Sequence, residues 1–274
     1  MILHKDQPVF RRYGHYGVRT EMTRGKSRTM ATLLSALLEP MHIRPIFTPS
    51  SSQTPALFWW LVAGSVALAL IPTIWTGMDL AAAGLFIGDS LRLRSVEWFW
   101  VELINLYVPA VFRTIVLMAL AAWVFATFSR HAKHWRLPLA FIVLAGTLGP
   151  GVLVNSGFKD NWQRARPYQV QEFGGTQQFT RATVMTDQCN NNCSFVSGHV
   201  SCGFFLASLM LVFRKRKTAW ALSGMLAGWI IGFARMSDGA HWFSDVLWAS
   251  PITLLCSWLV WKFLLWSYKI PKTA

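Results

Sequence analysis

The chain has 274 residues, of which 53% are hydrophobic and only 14% charged, and it contains 15 tryptophans. This composition excludes an ordinary soluble domain of that size and is typical of a protein that crosses the membrane several times. The net charge of +14 does not indicate nucleic-acid binding, because the basic residues lie in short blocks between apolar segments and no motif that reads DNA or RNA is present.

The N-terminal segment, residues 1–55, is polar and basic and is predicted to form a cytoplasmic tail. An apolar run within it, from Leu33 to Leu38, is far too short to span a bilayer. Two interpretations fit this run: a short amphipathic helix on the membrane surface that stops at Pro40, or part of a disordered tail.

Six apolar segments follow, and each is predicted to cross the membrane as a helix. Their approximate bounds are 56–75, 103–128, 139–154, 199–213, 219–234 and 242–266. The fourth and fifth are short for a hydrocarbon core of about 30 Å, while tryptophans near many segment ends fit interfacial belts. We therefore predict an all-α integral membrane protein whose residues 56–266 form one six-span domain, followed by a short cytoplasmic tail at 267–274.

The distribution of basic residues predicts the orientation of these spans. Most lysines and arginines lie in the N-terminal tail, the loop 130–136, the run 214–217 and the tail from 262 onward. Because cytoplasmic loops are enriched in Lys and Arg, both termini are predicted to be cytoplasmic and the other loops to face outward. Arg113, inside the second span, either supports a site at the outer face or pairs with an acid such as Glu102.

Three polar clusters fall on this predicted outer face, and the last of them contains a histidine and an acid at helical spacing. His241 and Asp245 are four residues apart, so on a helix the carboxylate can hold one ring nitrogen and leave the other free to react. Arg235, six residues before the histidine, adds a planar fork suited to phosphate oxygens. Taken alone, such a pair is more often structural than catalytic.

The two earlier clusters are an anion-binding turn and a pair of cations. Ser197-Gly198-His199 opens the fourth span, where the free N–H groups and the dipole of a helix N-terminus attract an anion. Lys159 and Arg166 share one face if their segment is helical. The alternatives are an ordinary helix cap and cations that meet lipid headgroups, and we assign Arg164 and Arg181 to the latter class.

Two cysteines, Cys189 and Cys193, flank three asparagines in the loop before the anion-binding turn. Without a nearby histidine or a second cysteine pair they are a poor zinc set, and no metal site is predicted. A disulfide between them is expected if the loop faces an oxidising compartment, which the predicted orientation implies.

Together the three clusters resemble the three-part signature of the type 2 phosphatidic acid phosphatase (PAP2) superfamily. That signature reads Lys-x6-Arg-Pro, then Pro-Ser-Gly-His, then Ser-Arg-x5-His-x3-Asp, and the resemblance extends from Lys159 to Asp245. Val196 stands in place of the usual proline and Ala234 in place of the usual serine. Neither position supplies a group expected to touch the phosphate. The resemblance implies a PAP2-like helical bundle.

The resemblance also implies a role for each residue of the signature. His241 would attack phosphorus to form a phosphohistidine, with Asp245 orienting it, and His199 would protonate the leaving oxygen and then activate water. The groups expected to stabilise charge on the transferring phosphoryl group are Lys159, Arg166, Ser197, Gly198 and Arg235. Because these donors replace the positive charge of a metal ion, no cofactor is expected.

The stretch from Cys189 to His199, with valine before the serine, resembles the subgroup of bacterial lipid A 4′-phosphatases. This implies a lipid phosphate substrate in the bilayer of the bacterial inner membrane and an active site that faces the periplasm. The longest outer loop carries aromatic residues, glutamines and arginines that suit a large sugar headgroup or merely shield the site; they are Trp162, Arg164, Tyr168, Gln169, Gln171, Phe173, Gln177, Gln178, Phe179 and Arg181.

Several other functions remain open at this point. Other substrates are the lipid A 1-phosphate, undecaprenyl diphosphate and phosphatidylglycerol phosphate. The protein could also pass the phosphoryl group to a second lipid, or be a transporter that only binds an anion. The His241 and Asp245 pair argues against the transporter, because anion binding has no need of a poised nucleophile.

Overall fold

A computed structural model describes residues 53–87 and 98–268. Within these ranges the chain contains helices and no β-strand, which confirms the prediction of an all-α protein. The principal helices are α1 (Ala56–Ile74), α2 (Gly77–Gly84), α3 (Phe99–Phe128), α4 (Arg136–Gly146), α5 (Gly198–Ser208), α6 (Lys217–Ser237) and α7 (Phe243–Ser267). Nearly all of the predicted basic tail, including the apolar run from Leu33 to Leu38, lies outside the described residues, as does the C-terminal tail beyond residue 268.

Within the described residues, five helical segments are long and apolar enough to cross a membrane. They are Ala56–Ile74, Phe99–Phe128, Lys133–Gln169, Arg214–Ser237 and Phe243–Ser267. The fourth predicted span corresponds to a shorter apolar helix, Gly198–Leu211, whose 14 residues extend for about 21 Å, less than the roughly 30 Å of a hydrocarbon core. Over residues 53–87 and 98–268 the membrane protein is therefore all-helical, and one of the six predicted spans is a short helix.

The third segment changes its winding where it approaches the polar clusters. The α-helix α4 continues as a π-helical stretch, Thr147–Lys159, with Pro150 inside it, and ends in the single α-turn Asp160–Trp162. Gln163 then takes a left-handed conformation with φ of 48°, and the following residues are not helical. Because a π-helix has wider turns than an α-helix, the residues of this stretch do not keep α-helical spacing.

Helices α5 and α6 pack closely because glycines face each other between them. A Cβ atom on Gly203 would lie 2.8 Å from Cα of Gly228, and one on Gly224 would overlap the backbone of Ala207. Small residues permit this approach of two backbones inside a membrane. The contact fixes the N-terminus of α5 relative to the C-terminal end of α6, and these two ends carry the second and third polar clusters.

Helix α3 is the most exposed of the spans and carries two polar residues in its apolar sequence. Large apolar side chains such as Leu106, Leu117 and Phe125 are exposed, as expected of a lipid-facing helix. Asn105 lies two turns from the start of α3, and Arg113 lies further along. The Nε of Arg113 donates to the carbonyl of Pro109 at 3.2 Å, and among the described residues Arg113 forms no ion pair with Glu102, from which about 16 Å of helix separates it.

Candidate active site

His241 lies in a tight turn between α6 and α7 and is 2% exposed. Gly239, with φ of 67°, reverses the chain, and the backbone N–H of His241 donates to the carbonyl of Arg235 at 3.2 Å. Its Nδ1 is 2.8 Å from the carbonyl oxygen of Ser194. Because a carbonyl only accepts hydrogen bonds, the ring proton is on Nδ1 and the lone pair of Nε2 is free.

Asp245 is close to this ring but does not hold it directly. Its Oδ2 lies 3.8 Å from Nδ1 of His241, which is too far for a hydrogen bond. The same oxygen accepts from the Ser194 hydroxyl and, at 2.9 Å, from the backbone N–H of Trp242. The sequence predicted that the carboxylate itself would hold a ring nitrogen. Instead the carbonyl of Ser194 takes that position, and Asp245 acts on the ring through its charge.

The environment keeps His241 neutral. Burial lowers the pKa of His241 to about 3, because a charged imidazolium loses its hydration inside the protein. Asp245 opposes this shift, whereas the positive charges of Arg235 and Lys159 add to it. At neutral pH the ring is therefore unprotonated at Nε2, which is the form that a nucleophile requires.

Arg164 was assigned from the sequence to lipid headgroups, and that interpretation is wrong. Its side chain is 0% exposed and lies between two buried carboxylates, with Nη1 2.5 Å from Asp245 and Nη2 2.8 Å from Asp79. The guanidinium carbon also lies 5.6 Å from the ring centre of Phe179 and 5.2 Å from that of Trp242. Burial raises the pKa of Asp79, and Arg164 is the main opposing influence. A buried charge requires such partners, so the residue belongs to the interior of the site.

His199 and Arg235 meet at Asn105 of α3. The Nε2 of His199 is 3.2 Å from the backbone carbonyl of Asn105, while Nη1 of Arg235 donates to the side-chain oxygen of the same residue. Asp238 accepts from both Arg235 and Asn105, each at 2.7 Å. The carbonyl fixes the proton of His199 on Nε2, so that Nδ1 is the nitrogen available to exchange a proton.

Lys159 and Arg166 meet at Asn192 of the disulfide loop. Nζ of Lys159 is 3.1 Å from the side-chain oxygen of Asn192, and Arg166 donates twice to its backbone carbonyl, at 2.6 and 3.1 Å. The condition under which Lys159 and Arg166 would share one helix face, a helical segment, is not met, because the helix ends at Trp162 and the chain turns at Gln163. Their tertiary contact with Asn192 brings the two cations together instead.

The N-terminus of α5 has the properties of an anion site. Ser197 is the residue before the first turn of α5, and its buried Oγ has no hydrogen-bond partner within 53–87 and 98–268. The same holds for the buried Nε of Arg235. A Cβ on Gly198 would lie 3.3 Å from Oδ1 of Asn155, so glycine fits this tight position. Unsatisfied buried donors at a helix N-terminus are suited to an anion.

A cleft of about 490 Å³ leads from this site along α3. The predicted site residues Lys159, Gly198 and His199 line one part of it, and apolar residues such as Phe112 and Leu117 line another. Arg113 also lines the cleft, and in this way it contacts the site. Polar and apolar walls therefore meet in one continuous cleft.

Cys189 and Cys193 form a disulfide in the loop immediately before Ser194. The closed ring contains Asn192, which has φ of 49° and holds Lys159 and Arg166 as described above. Across the part of the chain that the structure describes, no group of three or more His, Cys, Asp or Glu residues is placed to hold a metal ion.

The long outer loop is built differently from the surface that the sequence predicted. Phe179 and Phe173 pack against Trp242, and Trp162 packs against Phe195. These aromatic residues therefore support the site from inside. The exposed residues of the loop include Tyr168, Gln171, Gln178 and Arg181.

Sequence reasoning missed five residues that hold the site together. They are Asp79, Asn105, Asn192, Ser194 and Asp238. Asn105 carried a usable signal, because a polar amide inside an apolar span often marks a functional site. Ser194 and Asn192 act partly through backbone carbonyls, which leave no trace in the sequence.

Comparison with known proteins gives concordant results. Residues 135–269 match the model of the PAP2 superfamily. The chain is 33% identical over 198 residues to a lipid A 4′-phosphatase of Francisella tularensis subsp. novicida (strain U112), which covers 68% of this chain and 86% of that protein. No solved structure matches the chain significantly.

Two proteins named lipid A 4′-phosphatase from Rhizobium are similar over shorter stretches. The protein of Rhizobium leguminosarum is 38% identical over 123 residues, or 43% of this chain and 52% of that protein. The protein of Rhizobium etli is 37% identical over 139 residues, or 49% of this chain and 52% of that protein. The chain thus spans about half the length of these two relatives.

Proposed function

Because this chain belongs to the PAP2 superfamily and is a phosphoric monoester hydrolase of its lipid A 4′-phosphatase subgroup, we propose that it removes the 4′-phosphate of lipid A. In this proposal the reaction takes place at the periplasmic face of the bacterial inner membrane and passes through a phosphohistidine. The substrate is a lipid of the surrounding bilayer, and the protein needs no cofactor.

The observation that carries the proposal is the state of His241. Its proton is held on Nδ1 by the carbonyl of Ser194, its pKa is low, and Arg235 and Lys159 act on it electrostatically. A neutral imidazole with a free Nε2 beside fixed cations is poised to attack a phosphoryl group. An anion-binding protein has no need of this arrangement.

The first chemical step transfers the phosphoryl group to the enzyme. Nε2 of His241 forms a bond to phosphorus as the bond from phosphorus to the sugar oxygen breaks. His199 enters this step with a proton on each ring nitrogen, a form that the bound phosphate dianion stabilises, and gives its Nδ1 proton to that oxygen. Negative charge on the phosphoryl oxygens is stabilised by donors that include Lys159, Arg166 and Arg235, together with the Ser197 hydroxyl and the Gly198 N–H.

The second step regenerates the enzyme. A water molecule gives a proton to Nδ1 of His199 and forms a bond to phosphorus as the bond from His241 breaks. Inorganic phosphate is the product, and both histidines return to their starting states. Asp245 stabilises the positive charge that the ring of His241 carries while it is phosphorylated.

The choice of lipid A rests on the relatives and on the exposed part of the outer loop. Exposed Tyr168, Gln171, Gln178 and Arg181 offer an aromatic ring, amides and a cation, which suit sugar hydroxyls and a second phosphate. The cleft beside His199 has apolar walls that an acyl chain can occupy. A small glycerol headgroup would leave most of these groups unused.

We also propose that the chain crosses the membrane six times with both termini in the cytoplasm. The short helix Gly198–Leu211 would be the additional span, with its N-terminus toward the outer face. The basic loop 130–136 and the run 214–217 would then both lie in the cytoplasm. This orientation is consistent with the disulfide at Cys189 and Cys193, since such bonds persist in an oxidising compartment.

The test is to produce the protein in a bacterial host with bis-phosphorylated lipid A and to examine that lipid by mass spectrometry. We expect loss of the 4′-phosphate with the wild type and not with His241→Ala, which removes the nucleophile and should lower the rate by roughly 10³-fold or more. His131→Ala, at an exposed histidine of the loop 130–136, is the matched control and should behave as the wild type.

Purified protein then separates the alternative functions. Undecaprenyl diphosphate and phosphatidylglycerol phosphate are assayed beside lipid A, and acid-quenched protein is examined for phosphohistidine. Activity should survive EDTA because the cations of the site come from side chains. Unchanged lipid A together with rapid hydrolysis of undecaprenyl diphosphate would overturn the proposed substrate, and activity of His241→Ala would overturn the proposed nucleophile.

A further inference from the structure

We propose that Ser194 and Arg164 are positioning residues. They fix the ring of His241 and, together with Asp79, determine the buried charge on the Nδ1 side of that ring. Neither residue belongs to the sequence signature of the site, and neither is assigned a contact with the phosphate. The inference rests on the proposed role of His241 as the nucleophile and concerns the groups on the side of its ring opposite to Nε2.

Ser194 connects the nucleophile to its carboxylate through three separate contacts. Its carbonyl accepts from Nδ1 of His241 at 2.8 Å, its hydroxyl donates to Oδ2 of Asp245, and its N–H donates to the carbonyl of Arg164 at 2.9 Å. The residue is 0% exposed. Since every polar group of Ser194 is engaged, its carbonyl has one fixed direction, and this direction sets both the tautomer and the orientation of the ring.

Arg164 holds the other end of the same network. Its two terminal nitrogens contact Asp245 and Asp79, and Nη1 also donates to the Ser244 hydroxyl at 2.8 Å. Asp79 in turn accepts from the N–H and hydroxyl of Ser244, at 2.8 and 2.6 Å. Asp79 on α2 therefore fixes the first turn of α7, the turn from which Asp245 extends.

The charges of the network match the chemistry proposed for His241. Two carboxylates share one guanidinium, so the buried group carries one surplus negative charge when both acids are ionised. The ring of His241 gains positive charge when Nε2 binds phosphorus while Nδ1 keeps its proton. The network thus favours the phosphorylated ring over the free one, and it acts on the transfer step more than on phosphate binding.

The experiment uses two inhibitors that depend differently on the ring. Vanadate binds strongly only if Nε2 of a correctly placed His241 completes its five-coordinate geometry, whereas inorganic phosphate is held by the cations alone. The network variants are Ser194→Ala and Asp79→Asn. The matched controls are Ser208→Ala, at a buried serine that donates to a carbonyl elsewhere, and Asp187→Asn, at an exposed acid. Turnover, KM, both inhibition constants and the unfolding temperature are measured for each.

We expect Ser194→Ala and Asp79→Asn to lower kcat and to weaken vanadate inhibition, each by roughly ten- to a hundredfold. The phosphate inhibition constant and KM should stay within about threefold of wild type, and the control variants should be unchanged within the same range. An inhibition constant does not depend on how much of a variant is folded, so a destabilised variant still reports on the network.

Two results would overturn the inference. In the first, vanadate and phosphate inhibition weaken by the same factor. In the second, the folded fraction keeps the kinetic constants of the wild type, whatever the unfolding temperature does. The variant His241→Ala, which lacks the proposed nucleophile, separates failure of this inference from failure of the proposed function. If His241→Ala stays active, the nucleophile is misassigned. If it is inactive while either result above is obtained, only the positioning roles of Ser194 and Arg164 are refuted.

Discussion

Asp245→Asn replaces the carboxylate beside His241 with a neutral amide of nearly the same shape. The carboxylate is 0% exposed and contacts Arg164, Ser194 and Trp242. We expect a lower kcat, because the phosphorylated ring loses the negative charge that stabilises it. The substitution leaves in place the cations that are proposed to hold the phosphate, so KM should change little.

The size of the effect follows from the geometry. Oδ2 of Asp245 lies 3.8 Å from Nδ1 of His241, and at an effective dielectric constant of about 20 two unit charges at that separation attract by about 4 kcal/mol. Arg164, 2.5 Å from the other carboxylate oxygen, cancels part of this field. A net loss of about 2–4 kcal/mol corresponds to a roughly 30- to 1,000-fold decrease in kcat.

The assay is release of inorganic phosphate from lipid A in detergent micelles, with thermal unfolding recorded in the same detergent. Asp187→Asn removes an exposed acid and serves as the matched control. A kcat for Asp245→Asn within about threefold of wild type, in protein that unfolds at the same temperature, would show that the charge of Asp245 does not act on the reacting ring.

Three further predictions concern stability. Burial lowers the pKa of His241 to about 3, so the unfolded chain binds more protons than the native protein between about pH 3 and 6.5. Tm should therefore fall as the pH falls through this range. His241→Gln should make Tm depend less on pH. Gly224→Ala places a methyl group in the backbone of the neighbouring helix and should lower Tm, whereas Gly64→Ala meets open space and should leave Tm unchanged or slightly raised. Reduction of the Cys189–Cys193 disulfide should lower the free energy of unfolding by about 2 kcal/mol, measured by denaturant titration with and without reductant. In the absence of reductant, an alkylating reagent should label neither of these two cysteines.

The helical architecture was predictable because bilayer thickness imposes a length on each apolar segment. The segments predicted to begin at residue 56 and to end at residue 128 coincide with helices bounded by Ala56 and Phe128. The π-helical winding of Thr147–Lys159 was not predictable, since hydropathy is insensitive to how a helix is wound. For the same reason the turn at Gln163 was missed, and with it the true relation between Lys159 and Arg166.

Membership of the lipid A 4′-phosphatase subgroup and hydrolase activity were predicted from the sequence signature and are confirmed by the relatives. The roles assigned to the signature residues stay predictions. The structure adds that His199 and Arg235 both contact Asn105, and that Lys159 and Arg166 both contact Asn192. The polar clusters were recognisable because their residues are close in sequence and chemically distinctive.

The supporting network was not predictable for the opposite reason. Arg164 and Asp79 are 85 residues apart in the chain, and the acid lies in a short helix with no recognisable motif. A cation two residues before Arg166 looks like any other arginine near a membrane surface. Arg164 forms a buried ion pair with Asp79 only because α2 packs against the first turn of α7.

In the proposed mechanism, Asn192 would help to release the product phosphate. Its two oxygens occupy Lys159 and Arg166 in this structure, so a phosphate that binds these cations replaces contacts already made. Two cations without other partners would retain phosphate strongly, and slow release limits the turnover of many enzymes. The disulfide ring contains Asn192 and holds it beside the two cations, so its oxygens would compete with phosphate for them. We therefore expect a lower affinity for free phosphate, and a faster catalytic cycle, than the charges of the site alone would allow.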